Sequence, residues 1–362
     1  MESVERLMRA FWAGKKVLLT GHTGFKGAWL TLALHHFGAK VYGYALAAED
    51  PSLYRSLSLQ DCLAGEKIAN INDRAAFDAF YRATAPDITI HMAAQALVLA
   101  SYADPIETFQ TNVVGTAVIL DVVRSVGLPQ TVVIVTSDKV YRNHESGQSY
   151  AETDMLGGFD PYSASKSCAE LVTDSFRHSF LVSRPDIIVK SARAGNVIGA
   201  GDWSENRLVP DIMRALATNS GEIIIRHPES VRPWQHVLEP LSGYLRLAEC
   251  AAIAPQQVPK DSFNFGPERE SCRPVGEIVD RIATLSGRRL TMLGAEAAAV
   301  PEANLLHLDS SRAQGELGWH PRWNLSEALS ATVAGYQALN DLPVAQAKGA
   351  LTAQIDAYFQ KS

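Results

Sequence analysis

Cysteine is scarce in this chain. The 362 residues include only Cys62, Cys168, Cys250 and Cys272, scattered and without a C-x-x-C pair. That excludes a disulfide framework and a thiolate metal site, and it fits the reduced, structural thiols of a cytoplasmic protein. No run of about 18 apolar residues occurs, which argues against a membrane span. The opening Met1-Glu2-Ser3-Val4-Glu5-Arg6 carries two acids and no apolar core, unlike a secretory leader. Charge of either sign is in little excess. A net charge of −6 leaves no basic surplus for nucleic acid or an acidic membrane surface. His35, His36, His144, His178 and His320 show no metal-ligand spacing, so no metal site is expected. Internal repeats and low-complexity tracts are also missing.

What is present is ordinary for a globular α/β protein: 47% hydrophobic and 20% charged residues, at a length suited to one large domain and a smaller lobe. The apolar run Lys15–Thr20 reads as a buried strand. It passes into Gly21-His22-Thr23-Gly24-Phe25-Lys26-Gly27, then a helical pattern from Ala28, then a second strand from Lys40 to Leu46. Strand, glycine-rich turn, helix and strand form the setting of a dinucleotide site, in which backbone approaches a pyrophosphate at a helix N-terminus. The acid that would hold the ribose diol is not at its usual place. Glu49 and Asp50 come late, and no Arg for a 2′-phosphate stands at the strand end, although Arg55 is not far. NAD is therefore expected over NADP.

A third strand is expected to end near Ile68–Ile71, with Asp73 capping a helix from Arg74 to Ala83. Asp87–His91 reads as the fourth strand. The small residues Ala93 and Ala94, with Gln95, follow it and allow a cofactor to pass close. A long helix from about Asp104 to Ser125 carries Asn112 inside an apolar face, either bonded to a neighbouring loop or exposed. Strand five, Thr131–Thr136, delivers Ser137, Asp138 and Lys139 at its carboxyl end, the edge at which parallel sheets bind ligands. Pro161 opens a helix running to about Leu181, on which Tyr162 and Lys166 share a face. A nearby ammonium should lower the phenol pKa and make Tyr162 a base near neutral pH. A two-residue pattern recurs by chance, and a solvated helix face is the plain alternative.

Strand six is expected from Asp186 to Ala192. The passage Gly195–Trp203 then leaves the sheet for a second lobe that holds Arg207, Arg226 and Arg232. Arginines beside aromatics fit recognition of a diphosphate.

Together, Gly21-x-x-Gly24-x-x-Gly27, Asn112, Ser137, Tyr162-x-x-x-Lys166 and Asn196 resemble the extended short-chain dehydrogenase/reductases, the epimerase/dehydratase family acting on nucleotide sugars. The resemblance spans nearly the whole chain. Longer strings are similar to the CDP-glucose 4,6-dehydratases within that family: Thr20–Gly27, Thr136–Tyr141, Ala194–Gly199, Gly201–Trp203, Arg207–Asp211 and Arg232–Gly243.

The resemblance implies a Rossmann-type doubly wound sheet with a smaller C-terminal substrate-binding lobe. The expected division gives residues 1–198 and about 235–260 to the NAD domain, and about 199–234 and 261–362 to the lobe. It implies catalytic Ser137, Asp138, Lys139, Tyr162 and Lys166. It implies cofactor contacts at Gly21, Thr23, Gly24, Phe25, Lys26, Gly27, Asn70, Ile71, Ala93, Ala94, Gln95 and Asn112. Substrate contacts are implied at Ser137, Asn196, Arg207, Leu208, Arg226, Arg232 and His236. Lys139 stands where related dTDP-glucose dehydratases carry a Glu base. It acts as that base only with a depressed pKa, and otherwise stabilises an enolate.

Two departures from the family pattern stand out. Leu97–Ala100, including Leu99 and Ala100, lacks the arginines usual there, and the acid of the third-strand turn is replaced by Asn70. The rival readings are a nucleotide-sugar 4-epimerase, a dehydratase of another sugar nucleotide, and a non-catalytic NAD-binding protein. A homodimer, or a homotetramer, is expected by analogy.

Overall fold

The computed structural model describes residues 4–145, 147–217, 221–294 and 306–361; Met1–Ser3 of the opening segment lie outside them. Seven parallel strands form the central sheet: β1 (Lys16–Thr20), β2 (Lys40–Ala45), β3 (Leu63–Ile68), β4 (Ile88–His91), β5 (Gln130–Val135), β6 (Ile187–Ala194) and β7 (Ser262–Phe265). Their spatial order is β7-β6-β5-β4-β1-β2-β3. The order reverses between β1 and β4, which opens a crevice at the carboxyl ends of the strands. Val17–Leu19, Ile88, Ile90 and Val132–Ile134 are buried, as continuous apolar runs in a doubly covered sheet must be.

The flanking helices are α1 (Val4–Trp12), α2 (Phe25–His36), α3 (Arg74–Thr84), α4 (Val98–Ala103), α5 (Pro105–Val126) and α6 (Pro161–Phe176). They continue with α7 (Leu208–Ala217), α8 (Leu238–Ile253), α9 (Val275–Leu285), α10 (Leu325–Asp341) and α11 (Val344–Gln360). Asp73 caps α3 by accepting from Ala76 N, and Asp160 caps α6 by accepting from Ser163 N. Helix α5 is long and apolar enough to cross a membrane by length and composition. Its apolar residues Ile119, Leu120, Val122 and Val123 instead face the core of the sheet.

The smaller lobe is built from short paired strands, Glu222–Ile225 with Thr291–Gly294 and Val231–Pro233 with Cys272–Pro274, around α7 and α9. The expected division gave all of 261–362 to this lobe. Ser262–Phe265 corrects it, because this segment pairs with Ser191–Ala194 and completes the central sheet. Helices α1 and α11 were not anticipated. They meet near the ends of the chain, where Arg9 and His36 both contact Asp356 and Phe37 packs edge-on against Phe359.

Candidate active site

A cavity of about 1290 Å³ lies along the carboxyl ends of the strands. At one end is the glycine-rich turn. Gly21 has φ 75°, and a Cβ there would lie 2.7 Å from Ala93 N, so only glycine lets the turn sit against the β4 loop. A Cβ on Gly27 would come within 2.1 Å of Gly21 O, which packs the start of α2 onto the turn. Gly24 at the N-cap offers no side-chain cap, so the first amide N–H groups of α2 stay open to the cavity. This arrangement fits a pyrophosphate without a further group. Thr23 Oγ1 donates to Leu46 O and ties the turn to the end of β2. From below, buried His22 bonds Glu66, which also accepts from Tyr54.

Asn70, Ile71, Ala93, Ala94 and Gln95 line the same end. Arg55 turns to Ala48 O and Asp50, outside the cavity, so among the described residues no guanidinium lines this end for a 2′-phosphate. Asn112 corrects the reading as a cofactor contact, because it does not line the cavity. It sits where α5 widens into an i→i+5 turn over Gln110–Val114. Its Oδ1 accepts from Gln95 N at 2.9 Å, and its Nδ2 donates to Gln95 O at 3.0 Å and Ser165 Oγ at 2.8 Å. It therefore locks the β4 loop to the helix of Tyr162 and Lys166.

Beyond β5, Ser137, Asp138 and Lys139 line the cavity with Tyr162 and Lys166. Ser137 Oγ donates to Asp138 Oδ1 at 2.9 Å. Lys139 Nζ donates to the two carboxylate oxygens at 3.2 and 3.4 Å and to Asn196 Oδ1 at 3.4 Å. The Asp138 side chain is 6% exposed and that of Lys139 23%, so this is a pair largely withdrawn from water. Gly195 backs it: a Cβ there would lie 3.1 Å from Asp138 Oδ2.

Lys166 Nζ lies 3.5 Å from Val135 O. Burial pushes its pKa down to about 8, against the pull of Glu170. Glu170 is held by Arg193, Thr136 and Ser191 behind the sheet. The Tyr162 phenol goes against expectation. Burial raises its pKa above the ordinary value by more than Lys139 and the Ser137 hydrogen bond lower it.

Asn196, Arg207, Arg226 and Arg232 close the far end. Arg207 Nη1 bonds Asp202 Oδ2 at 3.2 Å. Leu208 lies beside them in an adjoining hollow of about 210 Å³ that shares all three arginines. His236 corrects the reading as a substrate contact. It is fully buried between Trp29 and Trp323, with ring centroids 5.7 and 4.9 Å away, and burial drives its pKa down to about 3. The missing arginines of Leu97–Ala100 leave an apolar wall on α4, where Leu97, Val98, Leu99 and Ala100 face the cavity. Sequence reasoning missed Phe159 at the mouth, stacked by Arg142 at 5.7 Å. The pair Gly157-Gly158 was its available signal: a Cβ on Gly158 would strike Ser163.

A cradle for a dinucleotide pyrophosphate, a Tyr–Lys pair and an acid–amine pair thus face one cavity bounded by arginines. A family model described as GDP-mannose 4,6 dehydratase matches residues 18–332. A CDP-glucose 4,6-dehydratase of Salmonella typhimurium is 46% identical over 336 residues, covering 91% of this chain and 92% of that protein. Among solved structures, a UDP-glucose 4-epimerase from Brucella ovis in complex with NAD has a TM-score of 0.75 at 20% identity, covering 89% of this chain and 98% of that one. A dTDP-glucose 4,6-dehydratase from Bacillus anthracis in complex with NAD has a TM-score of 0.72 at 19% identity, covering 90% and 97%. The two structures agree in fold, and the match over 315 of the 362 residues decides the rest: the chain belongs to the GDP-mannose 4,6 dehydratase family.

Proposed function

We propose that the protein is a CDP-glucose 4,6-dehydratase, converting CDP-glucose to CDP-4-keto-6-deoxyglucose and water with NAD as resident cofactor. The 46% identity to a relative of that name supports the substrate. The observation that carries the reaction type is the Asp138–Lys139 pair beside Ser137 and Tyr162.

The turn of Gly21, Gly24 and Gly27 and the open N-terminus of α2 would hold the pyrophosphate of NAD, with Lys166 toward its nicotinamide ribose. NAD supplies a hydride acceptor at sugar C4 and, in the same turnover, a hydride donor at C6. Tyr162 takes the proton of the 4-hydroxyl. Ser137 turns its hydroxyl from Asp138 to the 4-oxygen. Burial disfavours the phenolate, so the cations Lys139 and Arg207 that offset it are part of the base.

The 4-ketone then acidifies the C5 proton. Asp138 and Lys139 rest as an ion pair. Asp138 is placed to serve the departing 6-hydroxyl, and Lys139 to take up the C5 proton or to steady the enolate that its loss forms. Arg207, Arg226 and Arg232 bind the diphosphate, and the hollow beside Leu208 takes the nucleoside. The apolar α4 wall adds no charge, so the lobe supplies the cations.

A 4-epimerase shares Tyr162 and Lys166 but has no use for the acid at Asp138. Incubating the protein separately with CDP-, dTDP- and UDP-glucose, with mass spectrometry for loss of one water, tests the reading. Loss from CDP-glucose alone is expected. Retention of water by all three, with inversion at C4 of any, transfers the assignment to the epimerases.

We further propose a homodimer, in the cytoplasm, formed by α5 and α6. These neighbours expose Ile106 (66%), Val114 (50%) and Leu171 (58%) on their outer side, with Val182 (76%) just beyond. Light scattering is expected to give twice 39.3 kDa, and a doubled dimer is the homotetramer alternative. A monomer would refute both.

A further inference from the structure

Glu170 stands one helical turn after Lys166 on the same face of α6, and the proposed chemistry does not use it. Both side chains are buried, and they grip consecutive residues at the end of β5. Lys166 Nζ lies 3.5 Å from Val135 O, and Glu170 Oε1 accepts from Thr136 Oγ1 at 2.6 Å. Glu170 Oε2 accepts from Ser191 Oγ and from Arg193 Nη2, each at 2.8 Å. Burial raises the Glu170 pKa, but Arg193 and the two hydroxyls more than offset it, so the group is a carboxylate at neutral and alkaline pH. Burial pushes Lys166 down, and the charge that opposes burial there is that of Glu170.

Packing does not account for an ion pair in this place, because a buried carboxylate and guanidinium are often exchanged for apolar side chains at no loss of stability. The neighbour one turn back does. As an ammonium, Lys166 has three hydrogens to donate, enough for Val135 O and the hydroxyls of a nicotinamide ribose. Its charge also favours the oxyanion that forms as the sugar 4-hydroxyl loses its proton. A neutral amine lacks one of those donors and the charge. We propose that Glu170 is a positioning residue for Lys166, whose buried carboxylate keeps that side chain an ammonium while hydride leaves the sugar. The inference rests on Tyr162 and Lys166 being the oxidising pair. The other titratable groups facing Lys166 are Tyr162 on its own helix, His91 on β4, which burial drives down to about 3, and Lys26 at the start of α2, which burial pushes down to about 7. Facing Glu170 are Arg193 on β6 and Arg177 just beyond α6. Among the described residues acting on Lys166, Glu170 is the anion.

The test is the pH profile of kcat/KM for loss of water from CDP-glucose, followed by mass spectrometry between pH 6 and pH 10. Wild type is compared with Glu170→Gln and Glu170→Asp. Lys166 loses its proton at alkaline pH, so the profile falls along an alkaline limb. Glu170→Gln keeps the shape and removes the charge, and is expected to move that limb down by about one pH unit. Glu170→Asp keeps the charge and is expected to leave the limb in place at a lower rate. A merely structural role lowers the rate alike at every pH. An unmoved limb in Glu170→Gln therefore overturns the proposal, as does an equal shift in Glu170→Asp. Lys26 titrates alike in all three proteins and drops out of the comparison. Should Glu170→Gln not fold with Arg193 unpaired, Glu170→Gln combined with Arg193→Met, which buries neither charge, decides by the same limb. Wild type that forms no dehydrated product overturns the oxidising pair itself and is thereby told apart.

Discussion

Asp138 and Tyr162 divide the proposed chemistry between them, and each is removable without a change of volume. Asp138→Asn keeps the shape of the pair but cannot pass a proton to the 6-hydroxyl. The expected outcome is loss of dehydration by about 10²-fold or more, with C4 oxidation retained. Rapid mixing with CDP-glucose checks this through the absorbance of reduced nicotinamide, which should appear and persist. Tyr162→Phe removes the first proton acceptor, so neither the absorbance nor the dehydrated product should form. Most of this residue set was legible in the chain, because it is clustered at strand ends and on one helix face. His236 was not legible: Trp29 and Trp323, which enclose it, stand far away in sequence and on different elements. The direction of the Tyr162 shift was hidden for a similar reason. The cation four residues on is visible in a sequence; the burial that raises the phenol, and the Lys139 and Ser137 that oppose it in place of that cation, are not.

Elements carry the site through close approach of backbone. The loop after β6 passes Asp138 at Gly195, where a methyl group would meet the carboxylate at 3.1 Å. Gly195→Ala is therefore expected to displace Asp138 by a few tenths of an ångström and slow elimination about tenfold, with a smaller effect on C4 oxidation. Single-turnover rates for the two steps check it, and equal losses in both would sink the idea. Strands β1, β2 and β4 to β6 and the glycine-rich turn could be read as apolar runs with punctuation, whereas of the polar β3 only the end was placed, near Ile68–Ile71. Strand β7 escaped because the alternation Ser262-Phe263-Asn264-Phe265 lasts only four residues, arrives after an excursion into the lobe and runs straight into the turn signal Gly266-Pro267. The widened turn at Gln110–Val114 escaped too, since the hydrogen bonds that make Asn112 a lock come from Gln95 and Ser165.

For the molecule as a whole, buried histidines set the response to acid. Burial drives His91 and His236 down to about 3 and lowers His22 and His307 as well. Below the ordinary value of about 6.5 the unfolded chain takes up protons that the native state refuses, so stability falls with pH. Glu239, raised to about 7 by burial, and Glu152, raised likewise, work the other way, because the native state then holds the extra protons. The histidines outnumber them. A net loss of about 1.4 kcal/mol or more per pH unit is expected from pH 6 to pH 5. Denaturant titrations at the two values check it, and equal stabilities would falsify it.

Strand β7 also governs the order in which the molecule becomes itself during synthesis. It pairs with β6 about seventy residues after β6 has been made. Until then β6 stands as a bare edge, open to pairing with another chain. The same strand brings Asn264, which accepts from Tyr141 and donates to Tyr150 O and Asp309 O, while its backbone N–H bonds Glu152. Those contacts fasten the segment that leads away from Lys139. A growing polypeptide that already holds every proposed catalytic residue therefore still lacks the clasp on the segment beyond Lys139.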